Sequence, residues 1–596
     1  MPHVGARGRV RAWGIAVVSM GLLAGGAAIV GNAPAAVSAA PDEDCATAYP
    51  VDELEKGDPV HGLSVTKGTT PDPFTGNVIG VLEDGIAPDL DMILVELEMP
   101  ALEEAGGIWQ GMSGSPVYAA DDRLIGAVAY GLSSGPSTVA GVTPFEDMDD
   151  YLATEPVGRV EVDRGTARTI ARETDVTVAR AEQGLAQLRI PMGINGLTSR
   201  RLEKAKGLDK PYAPKGAYGL GQSSEAAGPE TIVKGGNLAA SVAYGDVTMA
   251  GVGTATSLCN GKVVGFGHPM TFRGETTMSL HPAEALLIQP ESLGAPFKVA
   301  NIGDPAGAIT QDRLAGIAGA VGEVPDSAGL VSTVSYRGES RTGETRVTVS
   351  DYTADALFGQ FISNHDRVLD GIVKGSEVQQ WTITGIRPNG SEFSLEYADR
   401  HTSRYDITWY SVFELADLVW SLSSIPGVTI TSVDVDSDVT DETGTWTVSS
   451  VEQRRAGEWQ RLTRRNPAIA RAGKTLRLRT LLTGPAGTKM LPVSFKVPRR
   501  AKRDLTLLSV SGGGDLYSNS YVESVKAAEQ LVDSAVRNDE LRVQFGTPNK
   551  IGFGGYEDEV TEIAFGRRRY SFVKSRVLGP LDQVVDGSKL LQVIVR

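Results

Sequence analysis

From Gly62 to Tyr130 the apolar residues come in short runs separated by Gly, Pro and Asp, the pattern of strands and tight turns. Asn77–Leu82, Met92–Leu97, Pro116–Ala119 and Leu124–Tyr130 are such runs. Asp121-Asp122 between the last two suits a turn joining hairpin partners, and Phe145–Leu152 reads as a short helix closing the unit. The whole chain holds 70 glycines, which favour turns and β structure over long helices. The expected fold class is mainly β with some helices.

A chain of 596 residues exceeds what one hydrophobic core supports, so several domains are expected. Residues 41–155 form the first β unit. Residues 156–235 read as a connector, with a helix over Gly165–Leu188 and a Gly/Ser/Pro-rich stretch, Pro214–Gly236. A second β-rich unit spans 236–430; its clearest feature is Gly253–Leu258 and Lys262–Phe266 joined by Asn260-Gly261, a strong hairpin signal. Ala354–Val373 and Tyr405–Leu422 have helical spacing, whereas Val378–Ile386 and Glu392–Tyr397 alternate like strands. Residues 431–596 form a C-terminal β-rich region. Thr475–Leu482 and Leu491–Val497 are strands of a small sandwich there, and Tyr521–Val536 is a helix.

Residues 1–40 read as a signal peptide. Arg7, Arg9 and Arg11 precede an apolar run from Trp13 to Val30, and Val37, Ser38 and Ala39 offer a small-residue cleavage site. A membrane anchor is the alternative; the glycines and the small-residue exit favour cleavage. Cys45 lacks the residues that a lipoprotein site needs before it, and no later segment is apolar enough to cross a bilayer. A secreted or cell-surface protein, with no permanent membrane span after leader removal, is expected. Losing three leader arginines takes the net charge from −16 to −19, which argues against nucleic-acid binding. Cys45 and Cys259 are the only cysteines; outside the cell they can form one disulfide, two free thiols being the alternative. No His or Cys pair has metal-ligand spacing, no Gly-rich Lys loop suggests a nucleotide, and Gly552–Gly555 reads as a turn. No metal or other cofactor is expected.

The sharpest motif is Gly111-Met112-Ser113-Gly114-Ser115-Pro116, followed by strand, turn, and Ile125–Gly131. Acyl transfer to serine needs a hydroxyl exposed on a tight turn, with backbone N–H groups aimed at the developing oxyanion. If Ser113 is the nucleophile, its own N–H and that of Gly111 are the natural oxyanion donors. The hydroxyl also needs a base. Beyond the leader the histidines are His61, His268, His281, His365 and His401. His268, in Gly265-Phe266-Gly267-His268-Pro269 directly after the predicted hairpin, is preferred; His281, also before a proline, is its nearest rival.

The serine loop resembles the Gly-Asp-Ser-Gly-Gly-Pro loop of trypsin-like serine peptidases. There the second strand of the following hairpin ends in a small-aromatic-Gly segment that pairs with substrate backbone, the place held here by Ala129, Tyr130 and Gly131. Two motifs resemble the SpoIVB-type serine peptidases of that clan. One is Gly106-Gly107-Ile108 with Gln110–Pro116 and Ile125–Val128; the other is Gly251-Val252-Gly253-Thr254-Ala255-Thr256, leading to Gly267-His268. The resemblance spans about Gly62 to Gly319. It implies two trypsin-like half-barrels, with Ser113 as nucleophile and His268 as general base, ahead of the β-sandwich-like C-terminal region.

This sequence departs from that pattern twice. The family's founding members carry the histidine segment first, whereas Ser113 precedes His268, which implies a permuted order. Their Asp upstream of the serine corresponds to Glu98 in Glu96-Leu97-Glu98, with Asp91 and Asp312 as rivals and a Ser/His dyad as a further option. Their PDZ domain has no recognisable counterpart. The leading expectation is a secreted serine endopeptidase acting on a protein or peptide substrate, with self-processing as an option. The alternative is a non-catalytic envelope binding or scaffold protein that keeps a peptidase-like fold, and the C-terminal region is a candidate site for a protein partner.

Overall fold

A computed structural model describes residues 45–132, 137–150, 162–174, 176–182, 185–187, 192–214, 218–219, 227–290, 296–499, 505–546 and 574–596. The expected signal peptide, Gly552–Gly555 and much of Pro214–Gly236 lie outside them.

The first unit is a closed barrel. Its strands are β1 (Pro59–Ser64), β2 (Asp72–Ala87), β3 (Leu90–Glu98), β4 (Pro116–Ala119), β5 (Leu124–Leu132) and β6 (Val139–Pro144). They run in the order β4-β1-β2-β3-β6-β5, and pairing of β4 with β5 closes the ring. Alternation supplies the interior: Val60, Phe74, Ile93, Val95, Val117, Ile125, Val128 and Val142 share one buried cluster. The helix α1 (Pro100–Ala105) lies between β3 and β4, and α2 (Phe145–Asp150) follows β6.

In the connector, the single helix expected over Gly165–Leu188 is instead α3 (Arg164–Glu173), α4 (Val178–Ala181) and the strand β7 (Leu185–Gln187); residue 188 is not described. Asp163 caps α3 by accepting from the N–H groups of Gly165 and Thr166. Thr174, Val176 and Thr177 follow, and their β-branched side chains disfavour helix continuation. Short β8 (Gly193–Ile194), α5 (Ser199–Lys206) and β9 (Tyr218–Gly219) complete the segment.

The second unit repeats the architecture. Strands β10 (Asn237–Gly245), β11 (Met249–Cys259), β12 (Lys262–Gly265) and β13 (Gly274–His281) are followed by an inserted hairpin, β14 (Ala283–Gln289) and β15 (Phe297–Ile302). Then β16 (Gly307–Arg313) and β17 (Gly316–Val321) complete a ring, β10-β13-β16-β17-β12-β11, closed by β10–β11 pairing. Asn260-Gly261 forms the predicted two-residue turn: Cys259 faces Lys262, with φ of 51° at Asn260 and 77° at Gly261. Leaving out the inserted hairpin and numbering each barrel's strands one to six along the chain, both rings have the neighbour order 1-2-3-6-5-4 closed by 4–1.

Beyond this barrel the sheet continues from β10 into β19 (Glu339–Val347), paired with β18 (Ala328–Tyr336). The helix α6 (Thr353–Leu369), β20 (Gly375–Ile386), β21 (Glu392–Ser403), α7 (Ile407–Ser423) and β22 (Thr429–Thr440) follow. The boundary expected at 430/431 cuts β22, which lies between β18 and β20 with Val433, Val435 and Val439 buried and the intervening aspartates exposed. This register accounts for the Asp/Val alternation of Val433–Val439.

The remainder, β23 (Thr445–Arg455), β24 (Glu458–Arg461), β25 (Ala468–Ala470), β26 (Thr475–Gly484), β27 (Gly487–Lys496), β28 (Leu505–Gly512), α8 (Asp515–Asn519), α9 (Val525–Ser534), β29 (Leu541–Gly546), β30 (Lys574–Leu578), β31 (Val584–Asp586) and β32 (Ser588–Val595), forms two five-stranded sheets. They share a core that includes Trp446, Leu478, Val510, Val543 and Val593. Among the described residues no helix is long and apolar enough to cross a membrane.

Candidate active site

Ser113 lies in the connection between the third and fourth strands of its barrel, and His268 lies in the same connection of the other. The serine loop is held from both sides. Gly114 N–H donates to the Val128 carbonyl at 2.8 Å, and Val128 N–H donates to Ser115 at 2.9 Å, fixing the loop to β5. From the other barrel, Thr254 N–H donates to the Ser113 carbonyl at 2.8 Å. The hydroxyls of Thr254 and Thr256 donate to the carbonyls of Gly111 at 3.2 Å and Gly114 at 2.7 Å. Gly114 has φ of 95°, and a Cβ there would sit 1.9 Å from the Thr254 carbonyl oxygen, so the approach of the two barrels requires glycine.

The carbonyls of this loop thus point into the clamp. The N–H groups of Gly111 and Ser113 have no acceptor among the described residues. They are the pair expected to form an oxyanion hole, left available for an incoming oxygen.

The histidine loop is equally constrained. Gly267 N–H returns to the Gly265 carbonyl at 2.9 Å across Phe266, whose φ is 71°, a γ-turn that is rare for a bulky residue. A Cβ on Gly267 would lie 2.9 Å from that of Ala129 and 3.0 Å from that of Ala127, so the loop rests directly on β5. The Thr143 hydroxyl at the end of β6 donates to the Gly267 carbonyl at 2.6 Å.

These supports bring His268 Nε2 to 3.0 Å from Ser113 Oγ. Nδ1 lies 2.9 Å from the Pro269 carbonyl, which can only accept, and this assigns the proton to Nδ1 and leaves Nε2 an acceptor. Both side chains are completely buried. Burial lowers the His268 pKa to about 4, opposed by the Pro269 hydrogen bond and by the charge of Asp312. The imidazole is therefore neutral at pH 7, as a general base must be.

Glu98, the expected orienting acid, is solvent-exposed at the end of β3, opposite Thr75. The carboxylate whose charge acts on His268 is Asp312, buried on β16. It accepts from Met270 N–H and Thr271 N–H, both at 2.8 Å, and from the Thr271 hydroxyl at 2.6 Å, fixing the two residues that follow His268-Pro269. Asp312 belongs to the barrel that carries the histidine, whereas Glu98 belongs to the barrel that carries the serine. Asp91 bonds instead to the backbone of Asp84 within its own hairpin.

Of the expected substrate-pairing residues, Ala129 is buried against Gly267, and Tyr130 is buried. Tyr130 and Gly131 pair with β7, opposite Gln187 and Ala186 respectively. Lys298, not singled out from the sequence, is buried beside Gly111, with its backbone N–H on the Gln110 carbonyl and its ammonium on Asn237 at 2.8 Å. Burial lowers its pKa to about 7.

His281 makes a second buried Ser–His contact, 2.7 Å from Ser241 Oγ. Here the serine is in mid-strand on β10, paired with Ala250 on one side and Ser279 on the other. No turn presents the hydroxyl, so this pair lacks the features that distinguish Ser113. His61 stacks on Tyr118, and His365 and His401 are buried on α6 and β21, away from both motifs. The Cys45–Cys259 disulfide forms as one of the two expected alternatives, and no metal-ligating cluster occurs among the described residues.

Two closed six-stranded barrels thus bring a serine and a histidine, one from each, into hydrogen-bond contact. The family described as SpoIVB peptidase S55 matches residues 28–148, a span that contains Ser113 and ends before His268. This supports a peptidase-related function. No curated protein matches the chain, and no solved structure does.

Proposed function

We propose that the chain is an exported serine endopeptidase with a trypsin-like pair of barrels in permuted order. The observation that carries this reading is the 3.0 Å contact between His268 Nε2 and Ser113 Oγ, reached from the same connection of two barrels of identical strand order. In the proposed reaction, Ser113 Oγ bonds to the carbonyl carbon of a peptide substrate as its proton moves to His268 Nε2. The N–H groups of Gly111 and Ser113 hold the oxyanion. His268 returns the proton to the leaving nitrogen as the C–N bond breaks; a water then repeats the sequence and frees Ser113. Asp312 is a positioning residue that fixes the histidine loop and favours the imidazolium formed in each step.

Purified protein is expected to be labelled by a fluorophosphonate probe, and Ser113→Ala to abolish the label. Equal labelling of both would sink the proposal. Complete enclosure of Ser113 and His268 favours a second reading, a non-catalytic binding or scaffold protein. Under it neither form is labelled and partners are recovered uncleaved.

A further inference from the structure

At its far end β5 pairs with β7 on the edge that β4 leaves open. β4 pairs with β5 only as far as Ala127, and Val128 then exchanges both of its hydrogen bonds with Gly114 and Ser115, the residues following the nucleophile. Beyond that point β4 is absent from the strand's edge. β7 takes its place, antiparallel, with Leu185 opposite Leu132, Ala186 opposite Gly131 and Gln187 opposite Tyr130. Advancing along β7 therefore means moving down β5 towards Val128 and the serine loop. An extended peptide whose acyl side precedes the scissile bond would approach Ser113 in that same direction, adding a strand to the same edge. The three-residue segment comes from the connector and, among the described residues, pairs with no other strand.

We infer that Leu185–Gln187 is the chain's own ligand for the peptide-accepting edge of β5, an occupant that an extended polypeptide substrate must displace. This inference rests on the peptidase reading of Ser113 and His268. It deepens that reading by naming the binding mode, backbone addition to Tyr130–Leu132, and the competitor for it. An intramolecular competitor lowers the fraction of binding-competent molecules. The apparent affinity for substrate falls by that fraction, while turnover of bound substrate is unchanged.

The test compares the full chain with Ala186→Pro/Gln187→Pro, which removes two consecutive N–H donors and so breaks the ladder whichever residue donates across it. Fluorescein-labelled casein serves as the extended substrate, and fluorophosphonate labelling, with Ser113→Ala as the blank, reports the nucleophile. The expected result is a kcat/KM for casein at least tenfold higher in the proline variant, carried by a lower KM with kcat within about twofold. Labelling of Ser113 with an unchanged or reduced casein rate overturns the occupancy and leaves the peptidase reading intact. Absence of labelling in both proteins overturns both. Circular dichroism and a thermal scan establish that the variant folds. Should it not, replacing residues 185–187 by three glycines weakens the same pairing without the proline ring, and the same two outcomes decide.

Discussion

Protonation of His268 ties the proposed chemistry to the stability of the fold. In the unfolded chain its imidazole titrates near the ordinary 6.5; in the folded chain burial lowers this to about 4. Between those values the unfolded state carries a proton that the folded state refuses, so unfolding becomes more favourable as pH falls. A difference of roughly 2.5 pH units at about 1.4 kcal/mol each gives about 3 kcal/mol, present above pH 6.5 and lost by about pH 4. His281, also lowered to about 4 by burial, contributes in the same direction. Asp355 and Asp399, raised by burial to about 7, oppose it, because folding makes them hold protons that the unfolded chain releases.

The measured quantity is accordingly a difference. Urea unfolding followed by tryptophan fluorescence, from pH 7 to pH 4, is compared between the protein and His268→Gln. The native protein is expected to lose about 3 kcal/mol more than the variant over that range, and curves that run parallel would refute the argument. The same burial predicts that kcat/KM for casein holds level to about pH 5, since the base is neutral there. A decline centred near pH 6.5 would mean that the imidazole is solvated in the working enzyme.

Gly114→Ala places a methyl group 1.9 Å from the Thr254 carbonyl at a φ of 95°. It is expected to destabilise the barrel junction by roughly 2–4 kcal/mol and to abolish labelling; a thermal scan and the fluorophosphonate probe check both effects. Asp312→Asn, by loosening the histidine loop, is expected to lower kcat by roughly 10–10² with little change in KM, whereas Glu98→Gln leaves casein kinetics within about twofold; the reverse pattern would restore Glu98 as the orienting acid. Cys45→Ser/Cys259→Ser opens a crosslink between residues 214 apart and is expected to lower unfolding stability by about 3–5 kcal/mol, read as a fall in the urea midpoint.

The local signals were readable because short-range chemistry set them. Asn260-Gly261 forms a hairpin turn wherever it joins β-prone runs, and glycines around Ser113 and His268 mark loops that must turn sharply. The helices α6 and α7 followed from apolar spacing alone. The single helix expected over Gly165–Leu188 does not form, and β7 at its end is extended because it pairs with β5. That stabilisation comes from a partner more than fifty residues away, and the sequence of the segment carries no trace of it. Likewise the boundary expected at 430/431 falls inside β22, because nothing local says that its valines pack with the helices of the preceding unit.

Glu98 and Asp312 lie on different barrels, and the contacts between the barrels bear on the proposed permuted order. Gly251–Thr256 was read as the approach to the histidine. It acts instead on the serine: Thr254 and Thr256 bind the carbonyls of Gly111, Ser113 and Gly114. Each barrel thus braces the other's loop, with Thr143 returning the favour by holding Gly267. Contacts of this kind depend on which surfaces face each other and not on which barrel is synthesised first, so exchanging the two along the chain leaves them unchanged. Under the proposed permuted order an acid borne by the histidine's own barrel travels with it, which places Asp312 after both motifs, while Glu98 is exposed on the serine's barrel. If that reasoning holds, the hydrogen bonds of Asp312 to Met270 and Thr271 are what keep His268 within reach of Ser113. Their loss should then depress turnover while leaving the barrels folded.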